Sequence, residues 1–157
     1  MTTTATLYAK TSDQTKNSDT ALADDNTLAV ALTAGKKYMI TGVIAVYAHA
    51  TPDFKYAWSF TGTANAEAGV TYAHIGRALA AGAATTTYPI GNGYLTTPIT
   101  RSIAGSSTAE HRLGVQIEVM IDVSGDGTFS LQWAQNTSDA NNTTVKAGSW
   151  LLVEEIS

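Results

Sequence analysis

The sequence predicts an all-β protein: a two-sheet antiparallel β-sandwich, jelly-roll-like, with eight to nine strands and no substantial helix. Three observations predict it. Between His111 and Gln135, Leu113, Val115, Ile117, Val119, Ile121 and Val123, then Phe129, Leu131 and Trp133, alternate with polar residues. A period of two sustained that long marks half-buried antiparallel strands. Turn signals recur at short intervals along the rest of the chain, as in a sandwich. Third, the best helical candidate, Arg77 to Ala81, is bracketed by Gly76 and Gly82 and followed by Thr85-Thr86-Thr87, so it holds one turn at most.

Residues 1–26 read as an N-terminal arm or edge strand, with one apolar patch at Leu7-Tyr8-Ala9 and a polar run ending Asp24-Asp25-Asn26. Residues 27–157 read as a single β-sandwich domain, and 157 residues suffice to bury about 70% of the unfolded surface. Leu28, Val30 and Leu32 alternate with Ala29 and Ala31, and Ala34-Gly35-Lys36 turns the chain. Tyr38 to Tyr47 is apolar on both faces around Gly42, which predicts a central strand covered on both sides, by the second sheet and by a loop or a neighbouring subunit. After Thr51-Pro52-Asp53, the row Phe54, Tyr56, Trp58 and Phe60 predicts a core strand, because so large an exposed aromatic row is unusual. A carbohydrate-stacking platform is the alternative for that row.

Val70 to Ile75 and Tyr94 to Ile103, bent at Pro98, read as further strands, and Gly76 to Gly93 as a long loop of the kind that makes contacts. The Ser124-Gly125-Asp126-Gly127 segment reads as a hairpin turn. Residues opposite each other in an antiparallel pair share a face, so a three-residue Gly125-Asp126-Gly127 loop pairs Val123 with Phe129, Ile121 with Leu131 and Val119 with Trp133. That loop places Gly127 in the left-handed region. A polar loop over 136–142, a short strand Thr143-Thr144-Val145 and a closing strand from Trp150 to Ile156 complete the chain.

Composition narrows the function. Charged residues are 14% of the chain against about 25% in ordinary domains, and the net charge is −4 with nine scattered Lys and Arg. Such a surface does not track phosphates. A surface of Thr, Ser, Asn and Ala suits docking onto protein, and serves equally as the composition of Thr-rich strands. There are no cysteines, hence neither thiolate chemistry nor a Cys-based zinc site. Residues 1–9 lack the basic start and apolar run of a signal peptide, and no apolar stretch has membrane-spanning length; a soluble protein is expected.

No constellation points to catalysis. Asp122-Val123-Ser124-Gly125-Asp126-Gly127 matches half of a calcium loop, but Trp133 stands where the bidentate Glu belongs, and turn chemistry explains the same residues. His49, His74 and His111 lack metal-site spacing, although His49 and Asp53 flank one turn as a weak acid–base pair. Asp24-Asp25 and Glu154-Glu155 are adjacent on strands and point to opposite faces. Asn136 and Asn142 sit in formal glycosylation sequons that read more simply as loop residues. The expectation is a non-enzyme, without catalytic, cofactor or metal residues.

Three segments carry a resemblance. They are Asp24-Asp25-Asn26-Thr27-Leu28-Ala29-Val30 with Ala34-Gly35-Lys36-Lys37-Tyr38, then Ala50 to Trp58, then Leu131 to Asn136 with Ala147-Gly148-Ser149-Trp150-Leu151. Their order over roughly residues 20–156 resembles small jelly-roll virion proteins of tailed bacteriophages: capsid decoration (cement) proteins and related head- or tail-fibre domains. The resemblance implies a structural virion protein, a homotrimer that braces the major capsid protein lattice, assembled in the host cytoplasm, with neither nucleic acid nor membrane as partner. It supplies no catalytic residues. The absence of a shaft or coiled coil favours decoration; the alternative is a glycan- or receptor-binding fibre domain using Tyr72, Tyr88 or Tyr94. Under the decoration reading, the arm (residues 1–26) and the 76–94 loop are the expected contacts, and Tyr38–Tyr47 and Trp150–Val153 offer interface surface.

Overall fold

The computed structural model describes residues 4–65, 70–72, 91–93, 100–103, 105 and 112–156. These form thirteen strands and no helix: β1 (Thr4–Ala9), β2 (Gln14–Lys16), β3 (Ala23–Leu32), β4 (Lys36–Ala48), β5 (Phe54–Phe60), β6 (Thr63–Ala64), β7 (Val70–Tyr72), β8 (Gly91–Gly93), β9 (Arg101–Ile103), β10 (Arg112–Gly125), β11 (Gly127–Ala134), β12 (Thr143–Val145) and β13 (Trp150–Glu155). They build a nine-stranded sheet with the path β1-β13-β4-β10-β7-β8, to which β2, β6 and β12 attach, and a four-stranded sheet β3-β11-β5-β9.

Eight of the strands form nested antiparallel pairs, β1 with β13, β3 with β11, β4 with β10 and β5 with β9. First pairs with last and fourth with fifth, as when one long hairpin is rolled into two sheets. This is a jelly roll. The other five strands are pieces of two or three residues, which is why the count exceeds the eight or nine expected.

The core lies between the inward faces. Leu28, Val30 and Leu32 on β3, Phe54, Tyr56, Trp58 and Phe60 on β5, and Phe129, Leu131 and Trp133 on β11 meet Ile40, Ile44 and Val46 on β4, and Val115 to Val123 on β10. Trp58 stacks on Phe129 with centroids 5.4 Å apart, and Phe54 on Tyr56 at 5.4 Å. The aromatic row is therefore core, and its burial leaves none of it as a sugar platform. Gly42 is required where β4 meets β13: a Cβ there would lie 2.4 Å from the Trp150 carbonyl oxygen.

The expected hairpin is absent. β10 bonds to β4, β6 and β7, and β11 bonds to β3 and β5, so the two never pair. In place of Val123, Ile121 and Val119, residues Phe129, Leu131 and Trp133 stand beside Phe60, Trp58 and Tyr56. The junction at Asp126 is an arch that carries the chain from one sheet to the other. Alternation cannot separate the two arrangements, because both put odd-numbered side chains into the same core. Gly127 is not in the left-handed region; it is needed for space, since a Cβ would lie 2.1 Å from the backbone nitrogen of Gly62.

Candidate functional site

The two outward faces differ in chemistry. On the nine-stranded sheet, the ladder aligns Leu7 with Leu152 and Thr41, Trp150 with Val43, and Met39 with Met120. Leu7 is 62% exposed, Met120 52% and Val43 38%, and these are the exposed large apolar residues among the described residues. All three lie on this one face, across four adjacent strands spanning about 14 Å at the usual strand spacing. Partly covered Trp150 and Leu152 fill the space between them. Gln116, Glu118, Glu154 and the Lys37–Asp122 pair, at 3.5 Å, supply the polar groups around them.

A buried polar cluster holds the edge of this face. Lys10, immediately after β1, is 3% exposed and Asp25 on β3 is 2% exposed. The Lys10 ammonium donates to Asp25 Oδ1 and Oδ2 at 2.9 and 3.0 Å, to Asn26 Oδ1 at 2.7 Å and to Gln14 Oε1 at 3.2 Å. Asp25 also accepts from Trp133 Nε1 at 3.2 Å and from the Thr27 and Leu28 N–H groups at 3.0 Å. Each charge is thus fully partnered, as burial demands. The pair ties the first strand of one sheet to the first strand of the other.

The residues considered for chemistry are engaged structurally. Asp122 faces Lys37, and Asp126 Oδ1 accepts the Ala34 N–H at 2.7 Å, so the half calcium loop serves the turns. Asp53, with φ of 54°, accepts the Gly105 N–H at 2.8 Å, while His49 Nδ1 lies 3.5 Å from the Thr51 nitrogen; they form no dyad. Asp24 and Asp25 face opposite sides, with Asp24 Oδ1 accepting from Ser130 Oγ and Gln132 Nε2. Glu155 pairs with Lys36 and holds that ammonium above its ordinary pKa of 10.5, the hydrogen bond being the main cause. Asn136 begins the loop after β11, donating its N–H to the Pro52 carbonyl. Among the described residues no three His, Cys, Asp or Glu side chains could share a metal.

The loop 76–94 lies outside the described residues except for β8, as do His74, His111, Tyr88, Tyr94 and the side chain of Tyr72. The Lys10–Asp25 cluster escaped sequence reasoning, because its members are scattered over Lys10, Gln14, Asp25, Asn26 and Trp133 with no motif spacing.

The molecule is a jelly-roll β-sandwich whose larger sheet shows three exposed apolar side chains among charged ones on its outward face. No protein-family description matches the chain, and no curated protein matches it. Two solved structures of infectious bursal disease virus show weak similarity. The Gx strain aligns at a TM-score of 0.25 and 11% identity, over 99% of this chain and 41% of that one. The Gt strain aligns at 0.27 and 12% identity, over 98% and 39%. The chain spans about two fifths of their length. Likeness at that level carries neither fold nor function across.

Proposed function

We propose that the chain is a structural virion protein, a capsid decoration protein that binds the major capsid lattice of a tailed bacteriophage through the outward face of its nine-stranded sheet. The observation that carries this reading is the gathering of Leu7, Val43 and Met120 on one face that the core does not use. Contiguous apolar surface on a soluble domain marks a contact with another protein, and methionine and aromatic residues are the types enriched in such contacts. Of the segments expected to offer interface surface, Tyr38–Tyr47 contributes Val43 to this face and Trp150–Val153 contributes Trp150 and Leu152, while Leu7 and Met120 come from β1 and β10. The role is mechanical: burying this face across capsid subunit boundaries stabilises the shell.

The test is co-sedimentation of purified chain with heads stripped of it, taken from the virus that encodes it. Saturable occupancy that falls at least tenfold for Met120→Glu supports the reading. Failure to co-sediment, with protein shown to be folded, rejects it.

A further inference from the structure

The edges of the two sheets are not alike. Among the described residues, β2, β8 and β9 are edge strands of three residues each, and β3 begins Ala23-Asp24-Asp25. Shortness and charge both discourage pairing with another chain. β1 has neither protection. It runs six residues, Thr-Ala-Thr-Leu-Tyr-Ala, with no charge, proline or glycine, and it pairs regularly with β13 on one side only. It also carries Leu7, the most exposed of the large apolar residues described.

We propose that β1 is a pairing edge for a second copy of this chain, the two β1 strands joining antiparallel across a twofold axis with Leu7 facing Leu7. The strand's own sequence argues for this occupant. An uncharged edge meets its copy without the like-charge opposition that guards edges elsewhere, although each chain carries a net charge of −4. A symmetric antiparallel pair must also match faces, so paired residue numbers add to an even sum. Two central registers meet that condition. One puts Thr6 on the axis and sets Ala5 against Leu7. The other puts Leu7 on the axis, with Ala5 opposite Ala9 and Thr6 opposite Tyr8. Only the second continues the outward row Leu152–Leu7 straight into Leu7–Leu152 of the second copy, covering the exposed leucine and fusing two apolar faces into one.

The inference goes beyond the capsid reading and does not depend on it. It builds a twofold assembly, where the phage resemblance implies three copies.

Because the chain has no cysteine, Leu7→Cys places one thiol per copy. Facing Cβ atoms in an antiparallel pair lie about 4.5–5.5 Å apart, close enough for a disulfide with slight adjustment, whereas diagonal neighbours stand about 7–8 Å apart. Under mild oxidation Leu7→Cys should give a disulfide-linked dimer, and Thr6→Cys should stay largely uncrosslinked. Sedimentation equilibrium of the unmodified chain should give the mass of two copies, and Leu7→Lys that of one with an unchanged circular-dichroism spectrum. A one-copy or three-copy mass for the unmodified chain overturns the proposal, as does stronger crosslinking at Thr6 than at Leu7. Capsid binding is read separately, so failure here leaves the decoration reading standing.

Discussion

The outward faces of the two sheets were built under the same rule and came out differently. A sandwich core needs only the inward face of each sheet to be apolar, and either outward face can be polar at no cost to folding. The four-stranded sheet follows that freedom. Its outward positions are small or polar: Ala29 and Ala31 on β3, Ala57 and Ser59 on β5, and Thr128, Ser130 and Gln132 on β11, with Ala57 and Ser130 buried. Its polar groups find partners nearby, with Asp24 accepting from Ser130 and Gln132, and Lys55 donating to the Thr20 carbonyl at 2.6 Å. The nine-stranded sheet instead shows Leu7, Val43 and Met120 to solvent beside Trp150 and Leu152. The core does not require those side chains, and the proposed contact is assigned to this face for that reason.

Substitutions can break or sharpen this contrast, beginning where the sheets are tied together. Lys10→Met leaves Asp25 charged and buried without its main partner, and should lower stability by about 3–5 kcal/mol in urea unfolding. Adding Asp25→Asn should recover part of that loss, and a double-mutant cycle gives the coupling. A cost below about 1 kcal/mol for Lys10→Met would mean that the buried pair does not hold β1. Gly127→Ala, at the arch, should cost about 1–3 kcal/mol through overpacking against Gly62, measured the same way.

On the faces themselves the effects should be small and opposite in meaning. Val43→Thr and Met120→Gln should each change stability by no more than about 0.5 kcal/mol while lowering capsid occupancy, whereas Thr128→Ser should change neither. The smallest expected effect is at Asp19, tied to the end of the polar sheet. The Ala21 N–H, foremost, with Lys16 and Lys55 adding, holds its carboxyl below the ordinary 3.8. A depressed pKa gives stability that is present above that value and lost as pH falls below it. Asp19→Asn should therefore lower the melting temperature slightly at neutral pH and leave it unchanged well below pH 3.8, which makes the acid limb of the profile shallower.

The sequence made the layers legible and hid the pairings. Alternation placed Phe54, Tyr56, Trp58 and Phe60, then Val115, Ile117, Val119, Ile121 and Val123, then Phe129, Leu131 and Trp133 facing the core, and the structure buries these. Side-chain period reports which face a residue occupies and is silent on its hydrogen-bonding neighbour, so a cross-sheet arch at Asp126 reads as a hairpin. The doubly apolar Tyr38–Tyr47 segment signalled a central strand, which β4 is, between β13 and β10; the cover expected on its second side is not seen among the described residues, where Val43 is 38% exposed. The Lys10–Asp25 pair left no trace, since fifteen residues separate partners that only the roll of the two sheets brings together. Residues 1–26 did read as an arm or edge strand, but alternation is silent on which strand β1 borders, because that is a property of topology.

The most direct test of the outward face uses Val43→Thr/Met120→Gln, which spares β1 and its proposed pairing. Melting temperature and capsid occupancy are measured on the same preparation. An unchanged melting temperature, within a degree or two, and an occupancy reduced at least tenfold are expected. Full occupancy by that folded variant would contradict the assignment of capsid binding to this face.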